Sequence, residues 1–496
     1  MVKRSEEGQD VHLKRAFRKR RSSALTELSE RSEWDRAMHL CVSLFIFERS
    51  RKMRIYNSMT NRIEEFKTIH EGEVNMYVCG PTVYDNAHIG NARPIIVFDT
   101  LRRLLEADGY KVKYVSNYTD VDDKIINKAI AENTTEDEIT AKYIAAYEEV
   151  RNQLNTEKLD ATPRVTRTMN EMIAFIGELL EKGYAYQIDG DVYFRVSKVE
   201  DYGKLSGQKI DDLEVGARIE ENSKKENPLD FALWKVTDKG IMWDTPWGKG
   251  RPGWHTECVV MINNEFHSHM IDIHGGGMDL KFPHHENEIA QSEALYGTPI
   301  ANYWVHNGML NIDGIKMSKS LGNVWLAKDM IAKIGANVMR WLMLSTQYRS
   351  TLNITEDVIE TAKTELNKVT TVLKQAEVAM QRNEVAESDE YDEELFGRFL
   401  DAVNEDINTP NGFKVIFDTV KVLNQSLRQR EVDFALVQKN YNTLKKELWV
   451  FGILVEPIRL SEDDKELFKG WEAARKEKDF AKADGFRAQL SERGLI

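Results

Sequence analysis

Seven of the eleven histidines lie between residues 255 and 306, in the same stretch as Cys258. Cys258 closes the run RPGWHTEC. Further on, PHHENE places His284 and Glu288 four residues apart, the spacing that sets two side chains on one helix face. Cys79 ends the apolar run NMYVC (75–79) and brings a second thiol to the same crevice if that run is a strand exit. Two thiolates, one imidazole and one carboxylate suit Zn²⁺, which accepts mixed sulfur, nitrogen and oxygen donors tetrahedrally. His285, three residues from Glu288, could replace His284, and His274, ahead of a glycine triplet, could also serve; spacing leaves both open. The competing reading is of two small buried thiols and a surface histidine–glutamate pair.

Two further segments carry anion chemistry. PTVYDNAHIGNARP (81–94) leads from a strand into a helix: Gly90 permits close backbone approach, the first N–H groups of the helix form an anion site, and His88 and Asn91 add donors. GIKMSKSLGN (314–323) holds Lys316 and Lys319 among small residues, a cationic loop able to fold over a polyphosphate. Among ten tryptophans, Trp254 stands out because it lies between Gly253 and Cys258.

These residues need elements to position them. The apolar residues Ile95, Ile96, Phe98, Leu101, Leu104 and Leu105 repeat at helical spacing until Gly109, and KVKYVSNY (111–118) reads as the next strand. That is one βαβ unit. HMIDIHG (269–275), a helix around 284–296 and NYWVHNGML (302–310) make a second. The expected fold is α/β, a doubly wound parallel, Rossmann-like sheet with a ligand crevice at the strands' carboxyl ends. It carries an insertion at about 120–250, which mixes helical (EMIAFIGELLEKGY) and hairpin-like (GDVYFRV) stretches. From about 350 to 496 the pattern is wholly helical, an all-α bundle, with helix-start signals at Asn408-Thr409-Pro410 and Ser461 to Asp464.

Composition bounds the class. A chain of 496 residues, 42% apolar and 30% charged, is a soluble multidomain protein with no run long enough to span a bilayer as a helix. Three cysteines cannot form a disulfide framework at this size, which points to a reducing, cytoplasmic setting. The net charge of −13 is uneven: residues 1–52 hold 13 basic against 8 acidic side chains, and the remainder 55 against 73. An acidic body requires local basic patches to hold any polynucleotide. Residues 1–52 read as an atypical basic N-terminal extension. Its acidic residues argue against a mitochondrial transit peptide, leaving a solvated tail or sequence upstream of a start at Met53.

From Met53 onward, VCGPTVYDNAHIGN, GRPGWHTEC, DIHGGGMDLKFPHHENEIAQS and KMSKS occur in the order that resembles the cysteinyl-tRNA synthetases, a class I aminoacyl-tRNA synthetase family. The resemblance implies one Zn²⁺ on Cys79, Cys258, His284 and Glu288. It implies ATP, with Mg²⁺, on Pro81, Thr82, His88, Gly90, Asn91 and Lys319, with His88, Asn91, Lys316 and Lys319 serving the catalytic step. Thr119, Trp254, His274 and Asp279 match positions lining the cysteine and adenylate pocket. The implied domains are a catalytic domain over 53–349 and a tRNA-binding helical domain over 350–496. The implied partners are L-cysteine, ATP and tRNA(Cys), with no membrane and a monomeric state. Three departures stand out: Asn91 where histidine is commoner, Met278 where serine is frequent, and an ending at GLI without a short tryptophan-containing tail. Rival readings keep the site but change the role: a ligase joining cysteine to a small amine, of the mycothiol-pathway type, or a non-catalytic zinc- and tRNA-binding paralogue.

Overall fold

Short runs rich in apolar residues, several of them stopped by Gly or Asn, dictate the first third of the fold. In a computed structural model, which describes residues 52–208, 225–317 and 323–496, Met53–Ile496 forms one unit. The expected extension before Lys52, and Lys319, lie outside the described residues. Strands β1 (Arg54–Asn57) and β2 (Arg62–Glu65) pair antiparallel across a turn in which Asn61 takes φ 56°, a conformation asparagine tolerates. Then follow β3 (Glu73–Val78), α1 (Ile89–Ala107) and β4 (Lys111–Ser116).

The insertion supplies helices α2 (Asp123–Glu132), α3 (Glu136–Gln153) and α4 (Met169–Glu181). It also supplies an antiparallel sheet of β5 (Ala185–Ile188), β6 (Asp191–Phe194), β7 (Phe231–Val236) and β8 (Gly250–Pro252), in that order. The chain returns through α5 (Trp254–Phe266), β9 (Met270–Gly277), α6 (Glu286–Tyr296) and β10 (Ile300–Asn307). Beyond these lie β11 (Leu310–Ile312), β12 (Ile315–Lys316), α7 (Ala327–Ile334), α8 (Ala336–Leu344) and β13 (Leu352–Ile354). Six helices end the chain: α9 (Glu356–Arg382), α10 (Glu393–Val403), α11 (Thr409–Leu427), α12 (Phe434–Val450), α13 (Glu462–Lys476) and α14 (Phe480–Glu492).

The central sheet is all parallel in the order β10-β9-β3-β4. The β3–α1–β4 crossover runs outward on one side and β9–α6–β10 on the other, so the order reverses between β3 and β9. A crevice opens at the carboxyl ends of such a pair. Register pairs Tyr77 with His274 and Val78 with Gly275. Both faces are covered, which is why the carboxyl halves of β3 and β4, Met76–Val78 and Tyr114–Ser116, are consecutively buried. The expected helix starts are present: the Asn408 side chain caps α11, with proline in its first turn, and Ser461 and Asp464 form a capping box on α13. Among the described residues no helix is long and apolar enough to cross a membrane.

One hydrophobic cluster runs without a break from the sheet through α1 (Leu101, Leu104, Leu105) into the terminal helices (Val369, Phe399, Leu444, Phe451). At its centre the buried Asp99 carboxylate accepts from Arg340 at 2.7 Å and Arg103 at 2.9 Å. Arg340 donates further to the carbonyls of Phe451 and Leu154, and Arg103 to those of Asn155 and Trp449. A buried charge survives only when its donors are satisfied in this way. The clamp fixes the carboxyl end of α12 against α1.

Glu447 on α12 is buried more awkwardly. One oxygen accepts from the Thr419 hydroxyl on α11 at 2.8 Å, while the other has no partner. Burial pushes its carboxyl up to about 8; Thr419 and Arg398 oppose that rise and Asp418 adds to it. The folded protein therefore keeps a proton that the unfolded chain releases near 4.5, and stability falls by about 1.4 kcal/mol per pH unit as pH rises through that window. Glu447→Gln should raise the thermal midpoint at pH 8 and leave it unchanged at pH 4, as followed by circular dichroism. An equal shift at both pH values would mean that ionisation is not the cause.

Candidate metal centre and anion-binding crevice

Strand β3 delivers Cys79 to the crevice, where its N–H donates to Gly275 O at 3.1 Å. Gly80 follows because any Cβ there would overlap the Asn117 carbonyl oxygen. Helix α5 starts after Gly253, where a Cβ would overlap the Ala232 carbonyl, and its second turn turns Cys258 inward. The expectation that His284 and Glu288 share one helix face needs adjustment. His284 sits in a π-turn over Lys281–His285, before α6 begins, and only Glu288 lies within that helix. The side chains still meet, with His284 Nε2 2.8 Å from Glu288 Oε1.

The four donor atoms converge. Cys79 Sγ lies 3.5 Å from Cys258 Sγ and 3.7 Å from Glu288 Oε1, and Cys258 Sγ lies 3.6 Å from His284 Nε2. A tetrahedron built on Zn–S and Zn–N/O bonds of about 2.0–2.3 Å has edges of about 3.3–3.8 Å, so these three of the five sulfur edges fit zinc, while the imidazole–carboxylate edge must open. A second set, Cys79, His274, His285 and Glu288, also gathers its donor atoms within 4.8 Å. Both sets use Cys79 and Glu288; only the first contains both sulfurs.

The four groups shift one another's titration strongly. The hydrogen bond from Cys79 lowers the Cys258 thiol to about 6 despite burial, while burial and the neighbouring Cys258 push Cys79 well up. Without a cation only one of the two sulfurs ionises readily. Burial works against the His284 imidazolium, but Glu288 and Cys258 outweigh it and raise it to about 10. Burial likewise works against the Glu288 carboxylate, and His284 and His274 pull it well below the ordinary range.

Outer partners orient the donors. His284 Nδ1 meets His255 Nδ1 at 3.1 Å, and His274 Nε2 meets Glu288 Oε2 at 2.7 Å. His285 bridges Cys79 Sγ at 3.3 Å and His306 at 2.8 Å, and His306 reaches Ser58 Oγ at 2.8 Å. Such partners fix ring orientation at metal centres.

The remaining expected residues surround this centre unevenly. Trp254, 41% exposed, stacks on His284 with ring centroids 4.1 Å apart. His274 is buried and stacks on Trp304 at 4.6 Å. Thr119 is buried beside the first anion segment, its N–H donating to Pro81 O at 3.2 Å and its backbone bridged to Thr82. Asp279 is exposed after the glycine triplet, its carboxylate folded back over Gly277.

His88 is the N-cap of α1, and its N–H donates to Asn91 Oδ1 at 3.0 Å. The Asn91 carbonyl is thus engaged in capping, and only its amide nitrogen faces the expected role of anion donor. Lys316 is exposed on β12. The flanks of the lysine loop clasp the first segment: Ile89 N donates to Trp325 O and Ala327 N to Ala87 O, each at 2.9 Å. A Cβ on Gly90 would sit 2.8 Å from His88 Nδ1 and 3.1 Å from Met317 Cε, so the glycine keeps this approach open.

Sequence reasoning passed over Asn117, His255, Glu257 and His306, all of which belong to the cluster's surroundings. The signal for Glu257 was an acid inside an otherwise apolar helix face beside Cys258. Burial pushes its carboxyl well up, against a hydrogen bond from Thr119.

The chain is similar to known proteins. Residues 65–364 match the model of the tRNA synthetases class I (C) catalytic domain, and residues 398–455 match that of the DALR domain. A methionyl-tRNA synthetase from Mycobacterium tuberculosis, solved with methionyl-adenylate, superposes with a TM-score of 0.55 over 76% of this chain and 89% of that one, at 13% identity, a likeness of fold alone. The cysteine–tRNA ligase of Halalkalibacterium halodurans is 47% identical over 453 residues, covering 90% of this chain and 97% of that protein. That of Brevibacillus brevis is 46% identical over 454 residues, with the same coverage. The chain belongs to the class I tRNA synthetase (C) family, among the cysteine–tRNA ligases.

Gly80→Ala tests the strand exit that places Cys79. It should cost about 3 kcal/mol or more, since the overlap is with main chain, and should abolish stoichiometric zinc binding. Thermal melting and metal analysis of the purified variant read both effects.

Proposed function

We propose that this protein activates L-cysteine with ATP and transfers it to tRNA(Cys), with one Zn²⁺ held by Cys79, Cys258, His284 and Glu288. The observation that carries the reading is the convergence of those four donors at the switch point of the sheet, beside the amino end of α1. The naming of the curated relatives as cysteine–tRNA ligases supports it. Between the two histidine sets, the one with both sulfurs is favoured by the sulfur edges and by the softness of the metal.

No protein nucleophile is needed. The cysteine carboxylate attacks the α-phosphorus of Mg²⁺-bound ATP in line, the bond to the bridging oxygen breaks, and pyrophosphate leaves with the electron pair. The protein's part is positioning and stabilisation of charge on the leaving group. Ile89 N–H and Asn91 N–H already donate to Trp325 O and His88 O, so His88, the Gly90 N–H and the Asn91 amide nitrogen would stabilise that charge, with Lys316 and Lys319 supplying positive charge. Thr82 and Pro81 shape the ATP edge, and Gly90 lets phosphate approach the backbone. Trp254, Thr119, His274 and Asp279 bound the amino-acid pocket. A terminal ribose hydroxyl of tRNA then takes the aminoacyl group and AMP departs, with the terminal helices holding the tRNA.

Bound Zn²⁺ would supply selection of a thiol over the hydroxyl of serine. Shape alone separates such isosteres by only about 10². Two thiolates and a carboxylate around Zn²⁺ leave one net negative charge, which Trp254 and the buried histidines shield from water.

Cysteine-dependent exchange of pyrophosphate into ATP, then charging of tRNA(Cys), tests the reading; an enzyme that exchanges with neither cysteine nor serine would sink it. Cys258→Ala should lose zinc and exchange activity together, and retention of both would remove Cys258 from the ligand set. Lys319→Ala should lower the exchange kcat by about 10²-fold with cysteine KM nearly unchanged, as measured by steady-state kinetics.

A further inference from the structure

Asn117 lies one residue beyond β4, 2% exposed, between the two segments that carry the cysteines. The orientation of its amide is dictated by its neighbours. Gly80 N–H can only donate, so Oδ1 must face it, at 2.8 Å, and Nδ2 then faces Thr119 Oγ1 at 3.3 Å. Cys258 Sγ lies 4.0 Å from the same Oδ1. The Thr119 hydroxyl in turn donates to Glu257 Oε2 at 2.7 Å.

Asn117, Thr119 and Glu257 are all buried, with exposures of 2%, 1% and 1%. They form a closed chain from the backbone beside one candidate ligand, Cys79, to the residue beside the other, Cys258. A hydroxyl owns one proton and two lone pairs. With its proton on Glu257 and one lone pair taken by Asn117, Thr119 has a single lone pair left. Toward a bound molecule it can only accept.

Resting on the reading of this crevice as the cysteine pocket, we propose that Asn117 and Glu257 are positioning residues. They hold the Thr119 hydroxyl as a fixed acceptor toward the amino acid, and they tie the exit of β3 to α5 so that the two sulfurs keep their separation. Their hydrogen bonds go to Gly80 and Thr119, not to His88, Asn91 or Lys316, the groups proposed to face the phosphates of ATP. Their loss therefore weakens cysteine binding and metal retention while ATP binding is spared.

The test uses the full-length, zinc-loaded protein and the variants Asn117→Ala, Glu257→Ala, Glu257→Gln and Thr119→Val. In cysteine-dependent pyrophosphate exchange, Asn117→Ala and Glu257→Ala should raise cysteine KM by about 10-fold or more, with ATP KM within about twofold, and should release zinc to a chromophoric chelator several-fold faster than the parent. Glu257→Gln keeps an acceptor oxygen and should restore cysteine KM to within about threefold of the parent. Because Asn117 is argued to act on substrate through Thr119, adding Asn117→Ala to Thr119→Val should raise cysteine KM no further.

Equal rises in cysteine and ATP KM, an additive double variant, or unchanged KM with unchanged zinc release would each overturn the proposal. Should Asn117→Ala fail to fold, the Glu257→Gln and Glu257→Ala pair decides by itself. If the parent protein shows no cysteine-dependent exchange, the cysteine reading fails, and zinc release from the same variants still reports on the tie between the two sulfur-bearing segments.

Discussion

The constraint on which the rest depends is the approach of two sulfur atoms to 3.5 Å in a buried pocket that also holds a carboxylate. Three potential anions in one place repel unless positive charge is brought among them. The protein answers in part with imidazoles: His284 and His274 both contact Glu288, and His285 contacts Cys79. It answers in part by leaving one thiol protonated, because burial and the neighbouring Cys258 push Cys79 up. The elements that make the approach possible are backbone ones: a parallel register that sets Cys79 beside β9, and two glycines, Gly80 and Gly253, where a side chain would collide with main chain.

The same sheet joins the candidate metal centre to the segment proposed to face phosphate. Helix α1 begins at that segment and ends against the terminal helices, and its buried Asp99 is held by Arg340 and Arg103. A replacement that removed one partner would strand a charge in the core. The clamp is therefore a fixed joint between the crevice and the helices proposed to hold tRNA. A second joint lies nearby, where Asp406 accepts from Arg349 at 2.6 Å and from Tyr348 at 3.1 Å just ahead of α11. Asp406 and Ile407 both take positive φ there, and a β-branched residue does so only when its surroundings force it.

Much of this was legible in the sequence, for physical reasons. Parallel strands buried on both faces read as short apolar runs, so β3, β4, β9 and β10 were each foreseen to within a few residues, and their βαβ order implied the crevice. The insertion was legible only as mixed. Strand β8 is three residues long and contains a proline, and β7 is exposed at its end, so neither carries a clean period-two signal. His284 was read as helical because a four-residue spacing fits a helix, yet a π-turn ahead of α6 achieves the same meeting. The Asn117–Thr119–Glu257 chain could not be read at all: Thr119 and Glu257 lie 138 positions apart, and nothing local in NYTD or HTEC says that they touch.

The clamp at Asp99 also sets the order in which the protein can be made. Arg340 stands 241 positions after Asp99, and the Phe451 carbonyl that completes the Arg340 shell is later by another 111. A chain emerging from the ribosome carries α1, with its apolar stripe and an Asp99 paired only with Arg103 of the same helix, through most of its synthesis before Arg340 and the terminal helices exist. Contacts so distant in sequence form late and at high loop-closure cost. The nascent catalytic half thus keeps apolar surface exposed, and prone to association, until α12 has been made.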